Sequence, residues 1–174
     1  MKIYKLFIMC ALACSISSAV SAAQEDESQY KPSVSYTGGD DMQQVYDFVK
    51  KCGTYFIATL DVNQKQPRVR PFGTINIFDG KLYIQTGKIK RVAKQIAKNN
   101  NVEICAYQGA EWIRIECKLV EDNRIEAQES MLKAYPSLAG QYKPGDGNTV
   151  VYYMKDAKAY RSSFSSQSDI LYQF

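Results

Sequence analysis

The sequence predicts a mainly β fold, a closed and mostly antiparallel barrel with short peripheral helices. Three observations predict it. Tyrosine occurs 13 times, and tyrosine favours strands and half-wet surfaces. About six or seven short runs rich in β-formers follow one another, punctuated by turn signals such as Asp79-Gly80. Helical spacing is confined to about three short stretches between them. Closure into a barrel removes exposed edges, which a strand-rich protein must protect.

The elements follow in order. Residues 1–22 have the layout of a signal peptide: Lys2 and Lys5, an apolar run over residues 6–13, then Val20-Ser21-Ala22 as a small-residue cleavage pattern. The expectation is cleavage near Ala22 and an exported, periplasmic or secreted protein. The run is shorter than the roughly 20 apolar residues of a membrane span. A lipid anchor at Cys14, after Ala11-Leu12-Ala13, is the second option. Residues 23–40 are polar, with Pro32, Gly38 and Gly39, and read as a flexible lead-in to a domain over 41–174.

Asp40 or Asp41 can cap a helix whose apolar face is Met42, Val45, Val49 and Cys52, with Gly53 ending it. Residues 54–61 read as a strand, 62–66 as a turn, and 67–78 as one long extended run. Asp79-Gly80 then turns the chain into a strand over 81–86. Ile89, Val92, Ala93 and Ile96 repeat at helical spacing until Asn99, Asn100 and Asn101 stop them. Residues 102–107 and 112–120 form a hairpin around Gly109. A helix near 123–135 carries Ala127, Met131, Ala134 and Tyr135 on one face. Residues 136–148 are irregular, and strands close the chain at 149–154, 157–164 and 170–174.

Several function classes drop out. The formal net charge is +4. Without Lys2 and Lys5, 20 basic residues face 18 acidic ones, too even a balance for nucleic-acid binding. There is no histidine, which excludes Ser-His-Asp triads, Cys–His pairs and His-ligated zinc. Cys52, Cys105 and Cys117 lie outside the leader without CxxC spacing, so they read as buried free thiols, with a single disulfide as the alternative. P-loop and dinucleotide fingerprints are absent.

Two clusters could carry chemistry. Lys81, Lys88, Lys90, Arg91, Lys94 and Lys98 share one stretch with no acidic residue. Lys88, Lys90 and Arg91 follow the Thr86-Gly87 turn where a helix begins, and a helix start favours phosphate; a solvated basic face is the plainer alternative. In Arg68-Val69-Arg70-Pro71-Phe72, the two arginines share a strand face and repel unless an anion or carboxylate lies between them. Pro71 places that strand at an edge or an interruption. Trp112, the single tryptophan, stands near Arg114 and Glu116.

The order helix, strand, Arg-x-Arg-Pro-Phe strand, Asp-Gly hairpin, Thr-Gly-Lys turn, helix, hairpin over about residues 42–160 resembles the pyridoxamine 5′-phosphate oxidase-like flavoproteins. The resemblance implies a homodimer of FMN-binding split barrels with FMN at each end of the interface. It implies that Arg68, Val69, Arg70, Pro71 and Phe72 line the flavin ring. It brings Gln85 and Thr86 to the ribityl chain or phosphate, and Lys88, Lys90 and Arg91 to the phosphate. Trp112 falls where the oxidases carry an FMN-contacting glutamine, supplied by the second subunit. The oxidases also end in an arginine- and histidine-bearing segment that grips the substrate, whereas this sequence ends Asp169-Ile-Leu-Tyr-Gln-Phe174. The expected activity is therefore an FMN-dependent oxidoreductase on another small substrate. The alternatives are an exported barrel that binds a flavin-like or other planar phosphorylated ligand without turnover, and a structural dimer without ligand.

Overall fold

The computed structural model describes residues 34–36, 40–165 and 169–174; the expected signal peptide lies outside them. Nine strands and three helices follow in the order β1 (Val34–Tyr36), α1 (Asp41–Cys52), β2 (Tyr55–Leu60), β3 (Pro67–Phe72), β4 (Asn76–Phe78), β5 (Lys81–Gly87), α2 (Arg91–Lys98), β6 (Asn101–Gln108), β7 (Glu111–Asp122), α3 (Ile125–Ala134), β8 (Thr149–Ser163) and β9 (Ile170–Gln173). A 3₁₀ turn, Pro136–Leu138, follows α3. The fold is the expected mainly β one. Pairing is antiparallel except between β1 and β9, and β1 forms inside the stretch read as a flexible lead-in.

The strands run β1-β9-β8-β7-β6-β2-β3, and a branch joins β4 to β5 and β5 to β8. The expected closed ladder is therefore open. The run read as one strand over 67–78 breaks at residues 73–75, and there the chain crosses from the edge strand β3 to β4 on the other branch. Side chains stitch this seam instead of a backbone ladder. Tyr135 Oη accepts from Ile75 N and donates to Ile75 O, both at 2.9 Å. Tyr55 Oη donates to Thr74 O at 2.6 Å. Thr74 Oγ1 accepts from Gln85 N at 3.1 Å and donates to Gln85 O at 3.4 Å. Buried backbone groups that lose a strand partner need such substitutes.

The sequence suggests two strands over 149–154 and 157–164, and the structure has one, β8. It pairs with β5 through Thr149–Tyr153 registers and with β9 through Lys158–Arg161 registers, while β7 runs along most of its length. The register with β7 slips by one residue between Glu116 and Lys118, and Asp156 takes φ 55° there. That is a bulge, which bends a strand and lets it change partners.

The core fills the inward faces: Ile57, Ile84, Ile104, Ile113, Ile115 and Ala159 are each no more than 1% exposed. α1 packs Val45, Phe48 and Val49 on it and α2 adds Val92 and Ile96. Asp40 makes no side-chain cap on α1; Asp41 is buried and accepts from Gln173 N at 3.0 Å, tying helix start to chain end. Gly53 closes α1 at φ 71°, as read. α3 covers a smaller cluster of Tyr83, Ala127, Met131 and Val151. Beside it Tyr83 Oη donates to Asp122 Oδ2 at 2.8 Å, and Arg124 clamps the same carboxylate. Arg124 and the phenol hold the Asp122 carboxyl down at about 2, and burial with the bond to Asp122 pushes Tyr83 up to about 12. Cys52, Cys105 and Cys117 carry free thiols.

Candidate functional site

The seam and the start of α2 enclose a hollow of about 410 Å³. Its walls are the end of β3 with residues 73–74, the end of β5, the first turn of α2 and the loop after α3. Of the residues expected at a ligand, Arg70, Pro71, Phe72, Gln85, Thr86, Lys90 and Arg91 line it together. Arg70, Lys90 and Arg91 are its charged residues, and no carboxylate is among its lining residues. A second hollow of about 550 Å³ adjoins it, sharing Arg70 and Arg91 and adding Arg68, Val69 and Lys94, with Asp61 as its acid. Arg68 approaches Asp61 at 4.0 Å.

Strand pairing explains this convergence. β3 pairs only with β2, with Arg70 opposite Ile57 and Arg68 opposite Thr59, so both arginines point to the barrel's inner side at its rim. Burial, with Arg68 alongside, lowers the Arg70 pKa from its ordinary value. The guanidinium stays protonated, and the direction marks a cation short of compensation. The first two N–H groups of α2, on Arg91 and Val92, have no intrahelical carbonyl, and both residues line the first hollow.

Gln85 forms part of the same wall and is 5% exposed, yet its Nε2 and Oε1 have no hydrogen-bond partner. They are the buried side-chain polar atoms left unpaired among the described residues. Native proteins pair such groups, and each exception calls for a cause.

Two expected residues lie elsewhere. Lys88 pairs with Glu121 at 2.6 Å, and its backbone N–H donates to Asn148 O at 2.7 Å. Gly87 serves Asn148 too: a Cβ there would meet the Asn148 side chain at 3.0 Å, and Asn148 Oδ1 accepts from Ile89 N at 3.2 Å. The turn read as a phosphate cradle is thus partly filled by the chain itself. Trp112 sits at the β6–β7 hairpin opposite Tyr107, its ring 5.0 Å from that of Phe164, and lines neither hollow.

The sequence reading missed Leu138, Gln141 and Tyr142, which the loop after α3 brings to the first hollow. The buried Tyr142 in a glycine-rich connection was the available signal. It missed Thr59 and Gln95 too. Gln95 lies three residues after Val92, on the buried face of α2, and a polar residue on an apolar stripe is itself a flag. Among the described residues there is no cluster of His, Cys, Asp and Glu able to hold a metal, and no helix long and apolar enough to cross a membrane.

Residues 42–161 match the family model described as pyridoxamine 5′-phosphate oxidase. Among solved structures, a NimC/NimA family protein from Clostridium acetobutylicum is 34% identical, with 76% of this chain and 93% of that one covered at a TM-score of 0.71. A pyridoxamine 5′-phosphate oxidase-related, FMN-binding protein from Nostoc punctiforme is 16% identical, with 74% and 84% covered and a TM-score of 0.52. HutZ, a heme storage protein from Vibrio cholerae, is 14% identical, with 65% and 87% covered and a TM-score of 0.51. The last two share the fold. No curated protein matches the chain.

Proposed function

The chain belongs to the pyridoxamine 5′-phosphate oxidase-like family of split barrels, and from that premise we propose that it is an FMN-dependent oxidoreductase acting on a small substrate. The observation that carries the reading is the hollow at the seam, with Arg70, Lys90 and Arg91 in its walls, no lining carboxylate, and the unpaired Gln85 amide. A phosphate ester suits the cations and the two α2 N–H groups. A ring with donor and acceptor edges suits the amide. Its volume falls in the range of roughly 300–1,000 Å³ usual for small-molecule sites. Bound there, the flavin supplies hydride and electron chemistry, and the protein positions it. No side chain needs to be an acid or base, which suits a chain without histidine. The fold is shared with a heme storage protein, but the chain lacks histidine, a frequent axial ligand of haem.

The reading includes a homodimer. The outward sheet face carries Val69 at 64%, Phe56 at 50% and Tyr107 at 57% exposure. Phe56 stands between Pro71 and Cys105 in register, so the apolar groups are contiguous across β3, β2 and β6. Vitamin B6 oxidation is not part of the reading: residues 170–173 form β9, and Phe174 pairs with Ala157 by backbone bonds, so the segment is committed to the sheet. Export remains the reading of residues 1–22, with flavin acquired afterwards.

The test is to titrate the mature protein and two variants with FMN and riboflavin. Arg91→Ala should weaken FMN at least about tenfold, since a charge-assisted hydrogen bond is worth about 1.5–3 kcal/mol, and leave riboflavin nearly unchanged. Lys88→Ala, whose ammonium is held by Glu121, should change neither by more than about twofold. Failure of the parent protein to bind either flavin would overturn the FMN reading in favour of an exported barrel for another planar, phosphorylated ligand.

A further inference from the structure

Arg70 is held by neutral groups. Its Nη1 donates to Thr59 Oγ1 at 2.8 Å and its Nη2 to Gln95 Oε1 at 2.7 Å. Thr59 Oγ1 lies 2.8 Å from the same Gln95 oxygen. The polarity of this ring is forced. A guanidinium can only donate and an amide oxygen can only accept, so the Thr59 hydroxyl takes one hydrogen from Arg70 and gives its own to Gln95. Thr59 and Gln95 are 4% and 6% exposed. The ring joins three elements, β2, β3 and α2, so the guanidinium has little freedom to move. No carboxylate forms an ion pair with Arg70 among the described residues, while Arg68 beside it has Asp61 at 4.0 Å.

Such an arrangement is an odd way to stabilise a fold. A half-buried charge costs free energy unless an opposite charge meets it, and a glutamate at position 95 would meet it with almost no change of shape. Glutamine orients the guanidinium and leaves its charge uncancelled. Two of the five N–H groups of Arg70 are spent on the ring, and its residue walls both hollows. The remaining donors and the whole charge are left for whatever enters.

We propose that Thr59 and Gln95 are positioning residues that fix the Arg70 guanidinium at the wall between the two hollows and reserve its charge for the anionic group of the ligand, so that they set the preference for a phosphorylated over an unphosphorylated ligand. The inference rests on the flavin reading for the identity of that ligand and on the Arg70 ring for the mechanism of choice.

The experiment compares the mature protein with Gln95→Glu and Thr59→Val. For each, the dissociation constants of FMN and riboflavin and the thermal midpoint are measured. Gln95→Glu places a carboxylate against Arg70. It should lower the preference for FMN over riboflavin at least tenfold, with riboflavin affinity within twofold of the parent and the midpoint equal or higher. Thr59→Val keeps the shape and removes one acceptor of the guanidinium; it should lower the preference about threefold. A merely structural ring would move the midpoint and leave the FMN-to-riboflavin ratio at its parent value in both variants, and that result overturns the proposal. If Gln95→Glu does not fold, the ratio in Thr59→Val decides. If the parent binds neither flavin, the flavin reading fails separately, and inorganic pyrophosphate is titrated instead. Binding by the parent that Gln95→Glu abolishes supports the ring's role toward another anion. Absence of pyrophosphate binding by the parent overturns it.

Discussion

Replacing Gln85 by methionine should make the protein more stable and worse at binding. The buried amide has neither donor nor acceptor satisfied, and leaving a buried polar group unpaired costs about 1–3 kcal/mol. Methionine has a similar length and volume and no hydrogen-bonding demand, so the exchange removes that cost with little strain. For a domain of this size, each kcal/mol moves the thermal midpoint by about 3 °C. The ligand-free variant should therefore melt about 3–9 °C above the parent, with the urea midpoint rising and the denaturant slope unchanged. FMN affinity should fall at least about tenfold, the loss of one net hydrogen bond of about 1.4 kcal/mol. The assay is paired: melting without ligand, then flavin fluorescence titration. Opposite signs in the two arms are the expected outcome. A variant as stable as the parent, or less so, would refute the reasoning, because the amide would then be satisfied in the free protein.

Two further expectations follow from the geometry and a third from the sequence. Phe56→Asp with Val69→Asp puts two charges on the exposed apolar face and should halve the mass seen by light scattering at low micromolar concentration, where a dimer burying roughly 2,000 Å² would persist; an unchanged mass would remove that face from the interface. Asp122→Asn removes the charge and turns one of the two oxygens that accept from Tyr83 and Arg124 into a donor, which should cost about 1.5–3 kcal/mol at pH 7. Because the folded Asp122 carboxyl lies at about 2 against 3.8 unperturbed, its contribution is complete above the unfolded value and fades as pH falls toward 2, so parent and variant should converge in acid melts. Mass spectrometry of the native protein should find its first residue at Ala23 or Gln24; an intact Met1 in the cytoplasm would end the export reading.

Local rules were readable where one element decides the outcome. Asp79-Gly80 turns with φ of 49° and 66°, Gly109 marks the β6–β7 hairpin, and the Val92, Ala93 and Ile96 stripe buries as its spacing required. What stayed hidden depends on distant partners. Nothing around Gly73 announces that both backbone groups of Ile75 will be satisfied by Tyr135, 60 residues after Ile75. Lys88 reads like Lys90 in sequence, and only the approach of Glu121 separates them. Arg70 looked like half of a repelling pair; the neutral ring that holds it needs α2 to pack across β2. Ile89, placed on the helix stripe, lies before the helix and is 77% exposed, because α2 begins only at Arg91.

The seam between β3 and β5 has a consequence for how the molecule breathes. A ladder parts only by breaking several bonds together, whereas here two hydroxyls, Tyr135 Oη and Thr74 Oγ1, each hold both an N–H and a C=O of the opposing backbone. Release of Ile75 takes rotation of one phenol, itself tethered by Lys50 Nζ at 2.8 Å, and release of Gln85 takes rotation of the Thr74 side chain, so these two amides should exchange by local opening rather than by global unfolding. Gln85 lines the hollow between β3, β5 and α2, and Ile75 directly follows its wall residues Gly73 and Thr74. The barrel can thus loosen beside that hollow while its continuous strands stay paired.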